Sequence, residues 1–185
     1  MEATFNADEL TTQTRYVTDK PSEGVGVETD WESMTELKRM LLVEDSSNDV
    51  ELILNSLAEN HLANEVIVVR DGEEALNYLY GRGMFRLRTG GNPVVIMLDL
   101  KLPKVDGMEV LTQLKADPNL RLVPVVVLTS SREEPDLIRC YELGANAYVV
   151  KPIDFLEFVD VIKQVGLFWA VVNQPPPGSV PSARG

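Results

Sequence analysis

The sequence predicts a doubly wound α/β domain built on a parallel sheet. Two observations carry that expectation. Five short apolar runs alternate with five segments of helical periodicity, the pattern of successive βα units with right-handed crossovers. The runs LLV, VVIML and VPVVVL are continuous rather than alternating, as expected of strands covered on both faces.

The elements follow in order. The first strand (β1) is Met40–Val43, ending in Glu44-Asp45. Val50, Leu52, Ile53, Leu54 and Leu57 then recur at helical spacings (α1), with Ser46 or Ser47 as the N-cap. Val66–Val69 is β2, and Glu73–Tyr80 is a short helix, α2, carrying Ala75, Leu76 and Leu79. Residues 81–92, GRGMFRLRTGGN, form a loop with four glycines and three arginines. The remaining units are β3 at Val94–Leu98, α3 at Gly107–Ala116, β4 at Val123–Leu128 and α4 at Glu133–Leu143. They close with β5 at Ala147–Val150 and α5 at Asp154–Val171. The natural arrangement is a flavodoxin-like five-stranded sheet of order 2-1-3-4-5. Ligands of such sheets sit beyond the carboxyl ends of the strands, at the switch point between β1 and β3.

Composition sets the outer limits. A chain of 185 residues accommodates one domain plus tails, and 44% hydrophobic content supplies one core. The net charge of −12 argues against a nucleic-acid surface. A single cysteine, Cys140, excludes an internal disulfide or a CxxC site and reads as a structural thiol. Val94–Leu98 and Val165–Val172 are the longest apolar stretches, far short of the ~18 residues of a membrane span. MEATFNADEL lacks a basic n-region and an apolar h-region. The expectation is a soluble cytoplasmic protein with neither membrane nor nucleic acid as a partner. Residues 1–36 hold nine acidic residues against Arg15 and Lys20, with sparse apolar residues, and read as a disordered acidic tail. That tail is either a partner-recruiting arm or sequence upstream of a start at Met34. The folded domain is expected over residues 37–172, followed by an irregular Pro-rich tail, 173–185. His61, in ENHLAN, reads as a surface residue.

Chemistry gathers at the carboxyl rim. Glu44 and Asp45 follow β1, Asp99 follows β3, Thr129 follows β4 and Lys151-Pro152 follows β5. Clustered carboxylates without a cation repel one another and raise their pKa values. A hard divalent ion relieves this, and Mg²⁺ favours one or two carboxylates together with phosphate oxygens. The rim therefore reads as a Mg²⁺-assisted phosphoryl site with Asp99 as the nucleophilic carboxylate.

This set resembles the receiver domain of two-component response regulators. That family has an acidic pair after β1, a phosphoacceptor Asp after β3, Thr or Ser after β4 and Lys-Pro after β5. Thr129 lies 30 positions beyond Asp99, and Lys151 lies 22 beyond Thr129, similar to the family's intervals. The resemblance implies that Asp99 takes a phosphoryl group from a histidine kinase. It implies that Asp45 and Asp99 hold Mg²⁺ directly, Glu44 through water, and the Lys101 backbone carbonyl as a further ligand. It also implies that Lys151 pairs with the phosphoryl oxygens, aimed by a cis Lys151–Pro152 bond, and that Thr129 bonds one oxygen after transfer. Tyr148 stands where the family places its aromatic switch, and the charged Lys101 side chain where the phosphoryl lifetime is tuned. The long GRGMFRLRTGGNP insertion and the FWAVVNQPPP ending resemble the single-domain regulators that partner bacterial and cyanobacterial phytochrome kinases. The three loop arginines, Arg82, Arg86 and Arg88, either touch a partner or keep the loop soluble.

Two rivals share features. A haloacid-dehalogenase-type Mg²⁺-dependent phosphatase needs an Asp two residues after its nucleophile, where this chain has Lys101. A flavodoxin needs a hydroxyl-rich phosphate loop after β1, where this chain has EDSSND. Nothing in the sequence calls for an enzyme acting beyond its own phosphorylation and dephosphorylation.

One expectation concerns assembly. On a 100° wheel, Phe155, Phe158, Val159, Ile162, Val165 and Trp169 form the sheet-facing arc of α5. Val161, Phe168 and Val172 extend it well beyond the ~100° stripe of an ordinary surface helix. Either the Pro-rich tail covers the excess, or it marks an interface. A two-fold homodimer through the α4–β5–α5 face, where receivers of this family commonly pair, is the simplest closed solution.

Overall fold

A computed structural model describes residues 39–59, 66–88 and 91–179. The expected acidic tail (residues 1–36) and His61 lie outside them. Five parallel strands form one sheet of order β2-β1-β3-β4-β5, as expected. The strands are β1 (Met40–Val43), β2 (Val66–Val69), β3 (Val95–Leu98), β4 (Val125–Thr129) and β5 (Ala147–Val150). The helices are α1 (Ser47–Glu59), α2 (Gly72–Leu79), α3 (Gly107–Ala116), α4 (Glu134–Glu142) and α5 (Phe155–Leu167).

Alternation along each buried strand divides the core into two layers. Leu41, Val43, Ile96, Leu98, Val125 and Val127 face one way, against Ala75 and Leu79 of α2, Val110, Leu111 and Leu114 of α3, and Cys140 of α4. Met40, Leu42, Val95, Met97, Val126 and Leu128 face the other way, against Val50, Ile53 and Leu57 of α1 and Phe158 and Ile162 of α5. Each fully buried aliphatic side chain is worth about 1.5–3 kcal/mol of transfer free energy. Both faces of β1, β3 and β4 are thus committed to packing, which is why their sequences do not alternate.

Three helices begin on an Asp that caps the backbone N–H three residues on: Asp71 to Glu74 (2.7 Å), Asp106 to Glu109 (2.8 Å) and Asp154 to Glu157 (3.0 Å). Ser46, one of the two expected candidates, caps α1 through Asp49 N–H at 3.3 Å. Pro124, lacking an N–H, delays β4 to Val125, while its carbonyl still accepts from Ile96. Residues 83–85 of the glycine-rich loop form a 3-10 turn. Arg82 stacks over Tyr80 and Arg88 over Tyr78, so two of the three loop arginines are engaged within the chain.

The end of the chain departs from expectation. The last helix opens into a π-turn at Phe168–Val172, where Asn173 N–H donates to Phe168 O at 2.7 Å. The extra residue per turn interrupts the 100° wheel, yet Trp169 still packs on the sheet-side cluster as its place on the arc predicts. Phe155, expected on the sheet-facing arc, is exposed, because the first turn of α5 overhangs the strand ends and borders the groove beside α1. Phe168 and Val172 stay exposed, while the following segment docks elsewhere. There the Gly178 carbonyl accepts from Asn92 N–H at 2.8 Å and Ser179 is buried. A Cβ on Gly91 would strike that carbonyl, so only glycine permits the approach.

Candidate functional site

The rim is assembled by strand register. Val43 pairs with Leu98, so the residues that follow them, Glu44 and Asp99, emerge side by side. Asp99 N–H donates to Val43 O at 3.0 Å and Glu44 N–H to Val69 O at 3.1 Å, which fixes both backbones. Thr129 pairs with Val150, and Lys151 N–H donates to Thr129 O at 2.8 Å. Glu44, Asp99 and Thr129 are buried, and Asp45 is exposed.

Glu44, Asp45 and Asp99 bring carboxylate oxygens within 4.8 Å of one another. Lys151 Nζ donates to Glu44 Oε2 (2.7 Å), Asp49 Oδ2 (2.8 Å) and Asp99 Oδ2 (2.9 Å). Burial pushes the Glu44 carboxyl above its usual pKa, against the opposing pull of Lys151. Burial alone would lower the Lys151 pKa, but the bonds to Asp49, Glu44 and Asp99 outweigh it and hold the ammonium above its ordinary value. Three carboxylates thus bond one ammonium, and a fourth, Asp45, clusters with two of them. The surplus of anionic oxygen is the donor set of a hard divalent cation, and the residues present fit one.

Lys101 enters through its backbone N–H, which donates to Asp99 Oδ1 at 3.3 Å. Its loop is fastened to α2: Lys104, in the left-handed region at φ 64, pairs with Asp71 at 2.7 Å and Glu73 at 3.5 Å. Thr129 Oγ1 accepts from Ser131 N–H at 3.2 Å, and Tyr148 OH donates to Ser131 O at 3.2 Å. Ser131 therefore links Thr129 to Tyr148. Burial raises the Tyr148 pKa, and the hydroxyl stays protonated to make that bond. The Lys151–Pro152 bond is trans, which corrects the expected cis geometry: X–Pro bonds favour trans by ~0.5–1 kcal/mol, and Lys151 reaches all three carboxylates from a trans backbone. Cys140 is buried, and burial pushes its thiol up to about 11, so it is inert as a nucleophile.

Asp49 and Ser131 escaped the sequence reading. An acid in the first turn of a helix is ordinarily explained by the helix dipole, so Asp49 carried no distinguishing signal. Ser131 acts partly through its backbone, which no residue type announces.

Comparison with known proteins agrees with this geometry. The response regulator receiver domain matches residues 40–163. The response regulator Rcp1 of Synechocystis is 39% identical over 132 residues, covering 71% of this chain and 88% of the relative. Among solved structures, the phosphorylated cyanobacterial phytochrome response regulator RcpA is 40% identical, with a TM-score of 0.71 over 75% of this chain and 98% of that one. The bacteriophytochrome response regulator RtBRR is 60% identical, with a TM-score of 0.62 over 77% and 86% of the two chains. Rcp1 has also been solved in a Mn²⁺-bound form, and receiver domains bind a divalent metal in the acidic pocket. The family pairs with histidine kinases and works in signalling, and the haloacid-dehalogenase reading finds no support. No helix among the described residues is long and apolar enough to cross a membrane. The match over residues 40–163, together with these relatives, makes the chain a member of the response regulator receiver-domain family, homologous to phytochrome response regulators.

Proposed function

We propose that Asp99 accepts a phosphoryl group from the phosphohistidine of a sensor kinase, that this kinase is a phytochrome, and that the chain signals in the cytoplasm through its receiver surface. The observation that carries this reading is Lys151 Nζ held between Glu44 and Asp99 inside a cluster of carboxylates at the sheet's carboxyl rim. An Asp99 carboxylate oxygen attacks phosphorus, an acyl-phosphate O–P bond forms, and the N–P bond to the donor imidazole breaks with its electron pair returning to nitrogen. Asp45 and Asp99 directly, Glu44 through water and the Lys101 carbonyl would hold Mg²⁺, which when bound draws negative charge from the phosphoryl oxygens. Lys151 follows the phosphoryl group and offsets its charge. Thr129 exchanges its bond to Ser131 N–H for a phosphoryl oxygen, and Tyr148, already bonded to the Ser131 carbonyl, responds to the displaced loop. A switch from 1:99 to 99:1 between the two arrangements needs about 5.5 kcal/mol of differential stabilisation.

Incubation with Mg²⁺ and acetyl phosphate is expected to add one phosphoryl group per chain, read by intact mass, and excess chelator to prevent it. Labelling undiminished in chelator would overturn the metal assignment. Transfer from a panel of histidine kinases, followed over time, distinguishes a phytochrome partner from others.

The reading includes a homodimer through the α4–β5–α5 face. Its support is the exposure of Leu167, Phe168 and Val172 beyond an already packed core, and the groove of 890 Å³ bordered by Leu137, Tyr148, Val150 and Ile153. Phe168→Asp is expected to shift the sedimentation boundary towards monomer without changing the unfolding temperature. A parent that stays monomeric at high micromolar concentration, with and without phosphodonor, would reject the dimer.

A further inference from the structure

Lys151 carries three N–H donors and spends one on each of Glu44, Asp49 and Asp99. Two of these partners belong to the cation cluster. Every oxygen of those two already has a donor: Glu44 Oε1 accepts from Ser46 N–H and Oε2 from Lys151, while Asp99 Oδ1 accepts from Lys101 N–H and Oδ2 from Lys151. A cation entering the cluster draws on the same two carboxylates as the lysine, and the two positive groups repel each other there, so they compete. Asp49 lies outside that cluster, in the first turn of α1.

Local geometry frees Asp49 for this contact. Ser46 caps α1 and Asp49 is the third helical residue, the position whose side chain in a capping box bonds back to the N-cap N–H. Here Glu44 Oε1 takes that N–H at 3.1 Å, and the Asp49 carboxylate turns to Lys151 at 2.8 Å. Its side chain is 31% exposed against 1% for Glu44, so it is the more easily hydrated of the two.

We propose that Asp49 is a positioning residue for Lys151: it holds the ammonium at the edge of the site so that Glu44 and Asp99 can be released to the divalent cation. Without Asp49 the lysine depends on the two carboxylates that the cation needs, and the competition becomes direct. This rests on the divalent-cation reading of the preceding section.

A double-mutant cycle on Mg²⁺ affinity tests it, with calorimetric titration of the metal-free full chain. Asp49→Asn is expected to weaken Mg²⁺ binding about fivefold to tenfold when Lys151 is present, and less than about twofold in a Lys151→Met background. Thermal unfolding of all four proteins checks that each is folded, and Asp49→Glu is expected to restore part of the affinity. An equal loss in both backgrounds would mean that Asp49 acts on the cation through its own charge, which overturns the inference and leaves the cation site standing. Unchanged affinity in Asp49→Asn overturns it as well. A parent that binds no Mg²⁺ at millimolar concentration overturns the cation reading itself, and this inference with it.

Discussion

Asp99→Asn is expected to lower phosphoryl labelling by at least about a thousandfold, roughly 4 kcal/mol of activation free energy, while leaving a folded domain. The amide oxygen keeps the acceptor that receives Lys101 N–H but loses the charge that makes the carboxylate nucleophilic. Lys151 is not orphaned, since Glu44 and Asp49 still accept from it. The substitution also removes one of the carboxylate charges clustered at the rim, so repulsion falls. In metal-free buffer the unfolding temperature is expected to hold or rise, the usual exchange between activity and stability at such sites. Intact-mass detection of the phosphoryl group after acetyl phosphate treatment, alongside thermal unfolding, reads both effects. Labelling at parental levels would show that the nucleophile lies elsewhere.

A large loss of stability is expected at Gly107. A Cβ there would run into the Asp99 carbonyl oxygen and the Leu100 Cα, which are backbone atoms with no rotamer to yield. Gly107 N–H also donates to Leu100 O at 2.9 Å, so the start of α3 is bound to the strand end that carries Asp99. Gly107→Val forces the helix away from that strand. A cost above about 3 kcal/mol is expected, a large part of the 5–15 kcal/mol that holds a domain folded. Gly107→Ala should act in the same direction with smaller size. Urea unfolding measures both, and an alanine variant within about 0.5 kcal/mol of the parent would contradict the close approach.

Legibility in the sequence followed the physics of each region. β1, β3 and β4 were readable because burial on both faces leaves only apolar residues, and the Asp-x-x-Glu caps at Asp71, Asp106 and Asp154 mark helix starts by local chemistry. Glu44, Asp45, Asp99 and Lys151 were readable because strand ends in a parallel sheet meet at one rim. Asp49 was not, since its role depends on a lysine 102 positions away and on Glu44 taking over the Ser46 N–H. The α5 wheel failed at its first position for a geometric reason. Phe155 is exposed on the first turn, bordering the groove beside α1, whereas Trp169 beyond Leu167 packs on the core despite the π-turn. The docking of Gly178 against Gly91 depends on the missing side chain of Gly91 and the left-handed φ of 89 at Gly178, and composition alone does not say which glycines meet.

That docking separates two addresses on the molecule. Asn92 precedes β3, so its contact with Gly178 lies at the amino edge of the sheet, whereas Asp99 lies at the carboxyl edge. Strands of four or five residues at ~3.3 Å each put about 13–17 Å of packed sheet between them. The exposed Phe168 and Val172 belong to the same far end of α5. A partner that grips Phe168 leaves the rim open, whereas one that fills the groove of Val150 and Ile153 sits next to Lys151. A fluorophore placed at exposed Val172 would report on contacts at that end of α5 without shadowing the phosphorylation rim.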